Sequence, residues 1–169
     1  MIAIASGMPW DEAFISADAT WGDRNICGIL SMYYGGAVGA WTNKMILADS
    51  SCEAEGIASS KAAEVAIVTR QIKKAWGELP DGPTVIFTDN AATKKVAHNL
   101  KNSTRAKHAL RRYHVLQQRI KEGDVELRWI PDEHNPADFL TKFCGGSKYE
   151  QSKRFATGIH AKEAMAAVK

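Results

Sequence analysis

Four acidic residues share one local setting. Asp18 in F-I-S-A-D-A-T-W, Glu55 in S-S-C-E-A-E-G-I-A, Asp89 in V-I-F-T-D-N and Asp138 in H-N-P-A-D-F-L-T-K each stand where a predicted strand ends or a predicted helix begins. Carboxylates at such ends can converge at one edge of a sheet and form an oxygen-rich cage suited to magnesium and phosphoryl chemistry. Each also has an ordinary explanation: Asp18 closing a strand, Asp89 capping the next helix, Asp138 favouring a helix N-terminus. Those explanations give no reason for four separate elements to end in the same chemistry. Two magnesium ions about 4 Å apart can activate a water and stabilise a leaving oxygen. Their charge needs three or four carboxylates plus a phosphate to neutralise it. Without metal, crowded carboxylates raise one another's pKa values, so the empty site is expected to be electrostatically strained.

Periodicity does not choose between Glu53 and Glu55, which lie about 100° to either side of a stripe centred on Ala54. Ser50 followed by Glu53 is a capping-box pattern that gives Glu53 a local role and leaves Glu55 free to face the sheet edge. His134, four residues before Asp138, reads either as a loop residue or as a proton carrier beside metals. His98, His108, His114 and His160 lack metal-ligand spacing.

The elements that would position these groups follow from the pattern. Residues 12–18 read as a strand, 28–34 as a second, Gly35-Gly36 as a tight turn and A-V-G-A-W-T as a partner strand. A long helix is predicted over about 51–76, with Ala54, Ile57, Ala58, Val65, Val68, Ile72 and Trp76 as its buried stripe. T-V-I-F-T-D is a compact strand, followed by a short helix from Asn90 and a second over about 104–122, in which Leu110, Tyr113, His114 and Ile120 are candidates for burial. D-V-E-L-R-W-I-P alternates as a strand with Val125, Leu127 and Trp129 on one side, and Pro136 opens a last helix through Asp138. Trp21, Trp41, Trp76 and Trp129 are expected at the core or its edge. The order predicts an α/β chain whose mixed sheet combines an antiparallel meander with parallel strands under right-handed crossovers.

The chain has 169 residues, 45% hydrophobic and 24% charged, which suits one globular domain. The expected division is an extension over 1–11, the domain over 12–143 and a tail over 144–169 that can be helical. The net charge of +3 is small, but eight Lys/Arg fall between Lys94 and Arg119, with no acid between Asp89 and Glu122. That segment is either a solvated face or a track for phosphates. Three cysteines without CxxC spacing argue against a zinc site or disulfide framework, and a reducing compartment is expected. No apolar run is long enough to span a membrane, and the first ten residues lack the basic start of a signal peptide.

The strings D-A-T-W-G-D, W-T-N-K, S-S-C-E-A-E-G-I-A, T-D-N-A-A, R-A-K-H, R-Y-H, G-D-V-E-L-R-W-I-P and A-D-F-L-T-K occur in the order seen in one family. Over roughly residues 13–143 the chain resembles the ribonuclease H domain of copia-type LTR retrotransposon polyproteins. The resemblance implies a ribonuclease H-like fold with a five-stranded mixed sheet. It implies catalytic and metal-binding carboxylates at Asp18, Glu55, Asp89 and Asp138, with His134 beside them, and two Mg2+ ions for which Mn2+ can substitute. The implied reaction is endonucleolytic hydrolysis of the RNA strand of an RNA–DNA hybrid, next to a reverse transcriptase polymerase domain, in the cytoplasm or within virus-like particles. No membrane partner and no small-molecule cofactor are expected. Ser50, Ser51, Cys52 and Asn90 flank the acids and are expected to contact the hybrid, with Lys94, Lys95, Arg105 and Lys107 on its phosphates. The chain departs from the family at Thr20, where a second acid is usual, at Asn25-Ile26-Cys27, at Leu110, and at Gly56, which replaces an aromatic and is expected to loosen the helix. The rival reading is a non-catalytic module of the same fold that binds nucleic acid or protein.

Overall fold

Two stretches of β-branched and aromatic residues open the described chain as a hairpin, and a third strand extends it. The computed structural model describes residues 13–22, 24–45, 48–78, 82–98 and 110–159, apart from the side chains of Val96, His98, Leu110, Arg111 and Arg112. The strands are β1 (Phe14–Thr20), β2 (Ile26–Tyr33) and β3 (Gly36–Lys44), followed by the helix α1 (Ser51–Ala75) and the strand β4 (Thr84–Thr88). The helices α2 (Ala91–His98) and α3 (Leu110–Lys121) come next, then β5 (Val125–Trp129). Two 3-10 turns, Asp132–His134 and Asp138–Leu140, lead to α4 (Gly146–Ala156).

The sheet order is β3-β2-β1-β4-β5, antiparallel through the first three and parallel from β1 to β4 to β5. The mixed five-stranded sheet is the one expected. Alternation along β1 sends Ile15, Ala17 and Ala19 to a core under α1 and α3. Phe14 goes to the opposite core with Leu30, Phe87, Ile130 and Phe155. Phe155 of α4 is fully buried there, so that helix is packed onto the sheet. Tyr34 and Gly35, both at positive φ, make the hairpin turn, one residue earlier than the Gly-Gly pair suggested.

Several expectations are corrected. Of the expected stripe on α1, Ala54, Ile57 and Ala58 are buried and Val65 packs against the same core, while Ala62, Ala63 and Ala66 complete a face whose small side chains allow close approach to the sheet. Val68, Ile72 and Trp76 are exposed instead, because the last turns of α1 line an open apolar groove with Tyr33 of β2 and Val38 and Trp41 of the edge strand β3. Trp21, Trp41, Trp76 and Trp129 are all exposed, as is His114, and Leu116 takes the fully buried place on α3. Pro136 does not open an α-helix. It lies between two single-turn 3-10 helices, where Asn135 ends the first. The expected start of the second helix at 104, Arg105, Lys107 and the segments 1–12 and 160–169 lie outside the described residues.

Candidate metal centre

Parallel pairing of β1 with β4 aligns their carboxyl ends, and the Ser16–Phe87 register continued by two residues brings Asp18 level with Asp89. Asp18 is fully buried and pairs across the sheet with Gly28. A Cβ on Gly28 would lie 2.7 Å from both Leu140 Cβ and Thr141 Cγ2. The bare glycine therefore lets the second 3-10 turn rest on β2, which carries Asp138 to the same edge. Carboxylate oxygens of Asp18, Asp89 and Asp138 then lie within 4.8 Å of one another.

Glu55 reaches this edge from the first turns of α1. Ser50 Oγ accepts from Glu53 N at 3.2 Å, while the Glu53 carboxylate accepts from Asp49 N at 2.8 Å. That local pairing occupies Glu53. Glu55 Oε1 accepts from Ala19 N at 3.2 Å, and its Oε2 is buried without a hydrogen-bond partner among the described residues. Asp89 does not cap α2. Asn90 does so, with Oδ1 accepting from Ala92 N at 3.0 Å and Thr93 N at 3.1 Å.

Burial and crowding disfavour the charged forms. Burial, then the charges of Asp89 and Asp18, pushes the Glu55 carboxyl up to about 9. Burial and the Asp18 charge push Asp89 up to about 6. Asp18 is also raised, mainly by burial, against the opposing hydrogen bond that Thr141 Oγ1 donates to its Oδ2. Like charges crowded at one edge thus add to burial in raising three of the four carboxyls. Asp138 is neutralised differently: Lys142 Nζ lies 2.6 Å from its Oδ1 and Lys148 Nζ 2.8 Å from its Oδ2. Hard oxygen donors, three converging carboxylates and two buried oxygens without hydrogen bonds among the described residues, Asp18 Oδ1 and Glu55 Oε2, fit a divalent cation.

His134 is half-buried in the first 3-10 turn, with Nδ1 buried and lacking a partner among the described residues. Ser50 is the N-cap of α1, Ser51 is exposed in its first turn, and the Cys52 carbonyl accepts from Tyr113 Oη at 2.8 Å. Lys94 and Lys95 are on α2, the first half-buried and the second exposed. Gly56 does not loosen the helix. A Cβ there would lie 2.5 Å from the Tyr113 ring, so the glycine makes room for the tyrosine that pins the start of α1. Thr20 closes the β1–β2 turn, donating to Arg24 O at 2.8 Å and accepting from Ile26 N at 3.1 Å.

Sequence reasoning missed Asn135, Thr141, Lys142 and Lys148. Asn135 is buried, with Nδ2 donating to Ala17 O at 3.0 Å and to Asp89 Oδ2 at 3.2 Å. Asn-Pro after a strand is a turn signal that points to it. The i,i+4 spacing of Asp138 and Lys142 points to the lysine. Nothing local points to Lys148.

No family profile matches the chain. The retrovirus-related Pol polyprotein from transposon TNT 1-94 of Nicotiana tabacum is 29% identical over 140 residues, 82% of this chain. The chain spans about 10% of that polyprotein's length. Among solved structures, RNase H1 of the halophilic archaeon Halobacterium salinarum superposes with a TM-score of 0.59 at 18% identity, over 76% of this chain and 93% of that one. LC11-RNase H1 in complex with RNA/DNA hybrid gives 0.56 at 16% identity, over 76% of this chain and 93% of that one. With its mixed sheet and its acidic edge, the chain has the ribonuclease H-like fold, and its sequence is similar to one part of a transposon Pol polyprotein.

Proposed function

We infer that the protein is a magnesium-dependent ribonuclease H that cuts the RNA strand of RNA–DNA hybrids internally, by a two-metal mechanism, leaving a 3′-hydroxyl and a 5′-phosphate. The observation that carries this reading is the meeting of Asp18, Asp89 and Asp138 within 4.8 Å, on three separate segments of the chain. Asp18, Glu55, Asp89 and Asp138 would hold the metal. Bound divalent ions supply a water nucleophile of lowered pKa and stabilise charge on the departing oxygen. The chain's own contribution is placement. Asn135 orients Asp89, Thr141 orients Asp18, and the Ala19 amide orients Glu55. His134, with an unpartnered nitrogen, is suited to carrying a proton at the edge of the site.

Two relatives support this substrate: one similar sequence is a transposon Pol polyprotein, and one similar structure is a complex with an RNA/DNA hybrid. Lys94 and Lys95 would meet backbone phosphates, and Ser50, Ser51, Cys52 and Asn90 the groove near the acids. A reverse transcriptase polymerase segment is the proposed neighbour, and virus-like particles the proposed setting. The test is cleavage of labelled RNA–DNA hybrid, duplex DNA and duplex RNA, with and without magnesium, by the wild type and Asp89→Asn. Magnesium-dependent cutting of the hybrid alone, lost in the variant, supports the reading. Binding without cleavage supports a non-catalytic module, and cleavage of duplex DNA a different nuclease.

A further inference from the structure

The acidic edge already contains cations, and they belong to the chain. Lys142 Nζ lies 2.6 Å from Asp138 Oδ1, 3.8 Å from Asp18 Oδ1 and 3.6 Å from Asp132 Oδ1. Lys148 Nζ, on α4, bridges Asp138 Oδ2 at 2.8 Å and Asp132 Oδ2 at 2.9 Å. Both oxygens of Asp138 are therefore taken by ammonium groups, and one of those groups also faces Asp18.

The two lysines differ in their freedom. Lys148 is fixed on a helix whose Phe155 is buried in the sheet core. Lys142 follows the second 3-10 turn, and its side chain is 41% exposed. Asp132, 60% exposed, offers that ammonium a second partner on the solvent side of the cluster. A lysine stem with four rotatable carbons can exchange one carboxylate for the other while its backbone stays in place.

We propose that Lys142 is an internal counter-ion that gates metal entry, lying between Asp18 and Asp138 when the site lacks metal and withdrawing to Asp132 when a divalent ion takes those carboxylates. This rests on the nuclease reading, because it assumes that the cluster binds such an ion. Lys142 is a positioning residue here: it touches neither substrate nor reacting atoms. It stabilises the metal-free fold against the repulsion of Asp18 and Asp138, and for the same reason it lowers metal affinity. Charge, not shape, carries the effect, so arginine at this position behaves like lysine, whereas a neutral side chain does not.

The test is calorimetric titration of Mg2+ into the wild type, Lys142→Gln and Lys142→Arg without nucleic acid. Lys142→Gln is expected to bind Mg2+ about tenfold tighter, the order for removing one partly screened charge at contact distance. Lys142→Arg gains nothing. The metal-free melting temperature of Lys142→Gln falls, and its rise on Mg2+ addition grows, a combination that loss of a purely structural contact does not produce. Acylation footprinting of the wild type needs no variant: Lys142 labelling increases severalfold when Mg2+ is added. Unchanged or weaker Mg2+ binding by Lys142→Gln overturns the gate, as does footprinting insensitive to Mg2+. If the wild type binds Mg2+ and cleaves hybrid while either result holds, only the gate fails. If no protein binds Mg2+ and no hybrid is cut, both fail together.

Discussion

Asp18 and Gly28 face each other across β1 and β2, and the absent side chain of Gly28 is what allows Thr141 to reach Asp18. The turn that carries Asp138 rests on the same spot. Gly28→Ala would put a methyl group 2.7 Å from Leu140 Cβ and Thr141 Cγ2, and these are the inner parts of side chains, with little freedom to yield. The expected cost is about 1–3 kcal/mol in urea unfolding. The larger signature is functional: the rise in melting temperature on adding Mg2+ shrinks, because Asp138 moves away from Asp18. A variant with full Mg2+ response would mean that the turn can shift without disturbing the carboxylates.

Asn135 joins three parts of the site. Its Oδ1 accepts from Ser16 Oγ at 2.5 Å and from Ala137 N at 3.1 Å, while Nδ2 serves Ala17 O and Asp89 Oδ2. Asn135→Ala removes all four partners at a buried position and is expected to cost about 2–3 kcal/mol. Asn135→Asp turns the donor toward Asp89 into a second carboxylate, so its stability is expected to drop further as pH rises. Chemical unfolding at two pH values separates the two variants, and equal losses at both would show that charge beside Asp89 is tolerated.

What was legible in the sequence was whatever depends on neighbours in the chain. The acids at the ends of elements, the capping box at Ser50 and the alternation that buries Val125 and Leu127 on β5 are local patterns, visible without knowing the fold. What was not legible depends on which surfaces meet. The α1 periodicity runs unbroken through Val68, Ile72 and Trp76, yet only the alanine half of the helix lies against the sheet. Tyr113 fits because Gly56, 57 positions earlier, has no side chain, and no window along the sequence contains both. Lys148 meets Asp138 only after α4 docks by Phe155.

That division has a mutational consequence. Ile72→Ala, on the exposed half of α1, is expected to cost under about 1 kcal/mol, since a partly exposed side chain gives up little burial. Leu116→Ala, at a fully buried position on α3, is expected to cost about 2–5 kcal/mol through the cavity it leaves. Equal losses by urea unfolding would mean that the apolar groove beside α1 is closed in solution.

The site's own acids set how metal-free stability varies with pH. Glu55 rises from 4.5 to about 9 on folding, and Asp89 from 3.8 to about 6. Between the unfolded and folded values the native state holds more protons than the unfolded chain, so stability falls as pH rises through that window. Asp89 and Glu55 both contribute up to pH about 6, Glu55 continues from there to about 9, and the raised Asp18 adds in the same direction. Glu55→Gln keeps the acceptor for Ala19 N and needs no proton, so it flattens the upper part of the profile. At pH about 8 it is expected to be more stable than the metal-free wild type by about 1–3 kcal/mol. It also gains less from Mg2+, having lost a ligand. Magnesium binding to the wild type should release protons across the same window, because the cation favours the charged carboxylates. Melting curves and calorimetry in two buffers of different ionisation enthalpy measure both effects. A metal-free stability that climbs with pH through this range would mean that the carboxylates are better neutralised by Lys142 and Lys148 than their burial implies.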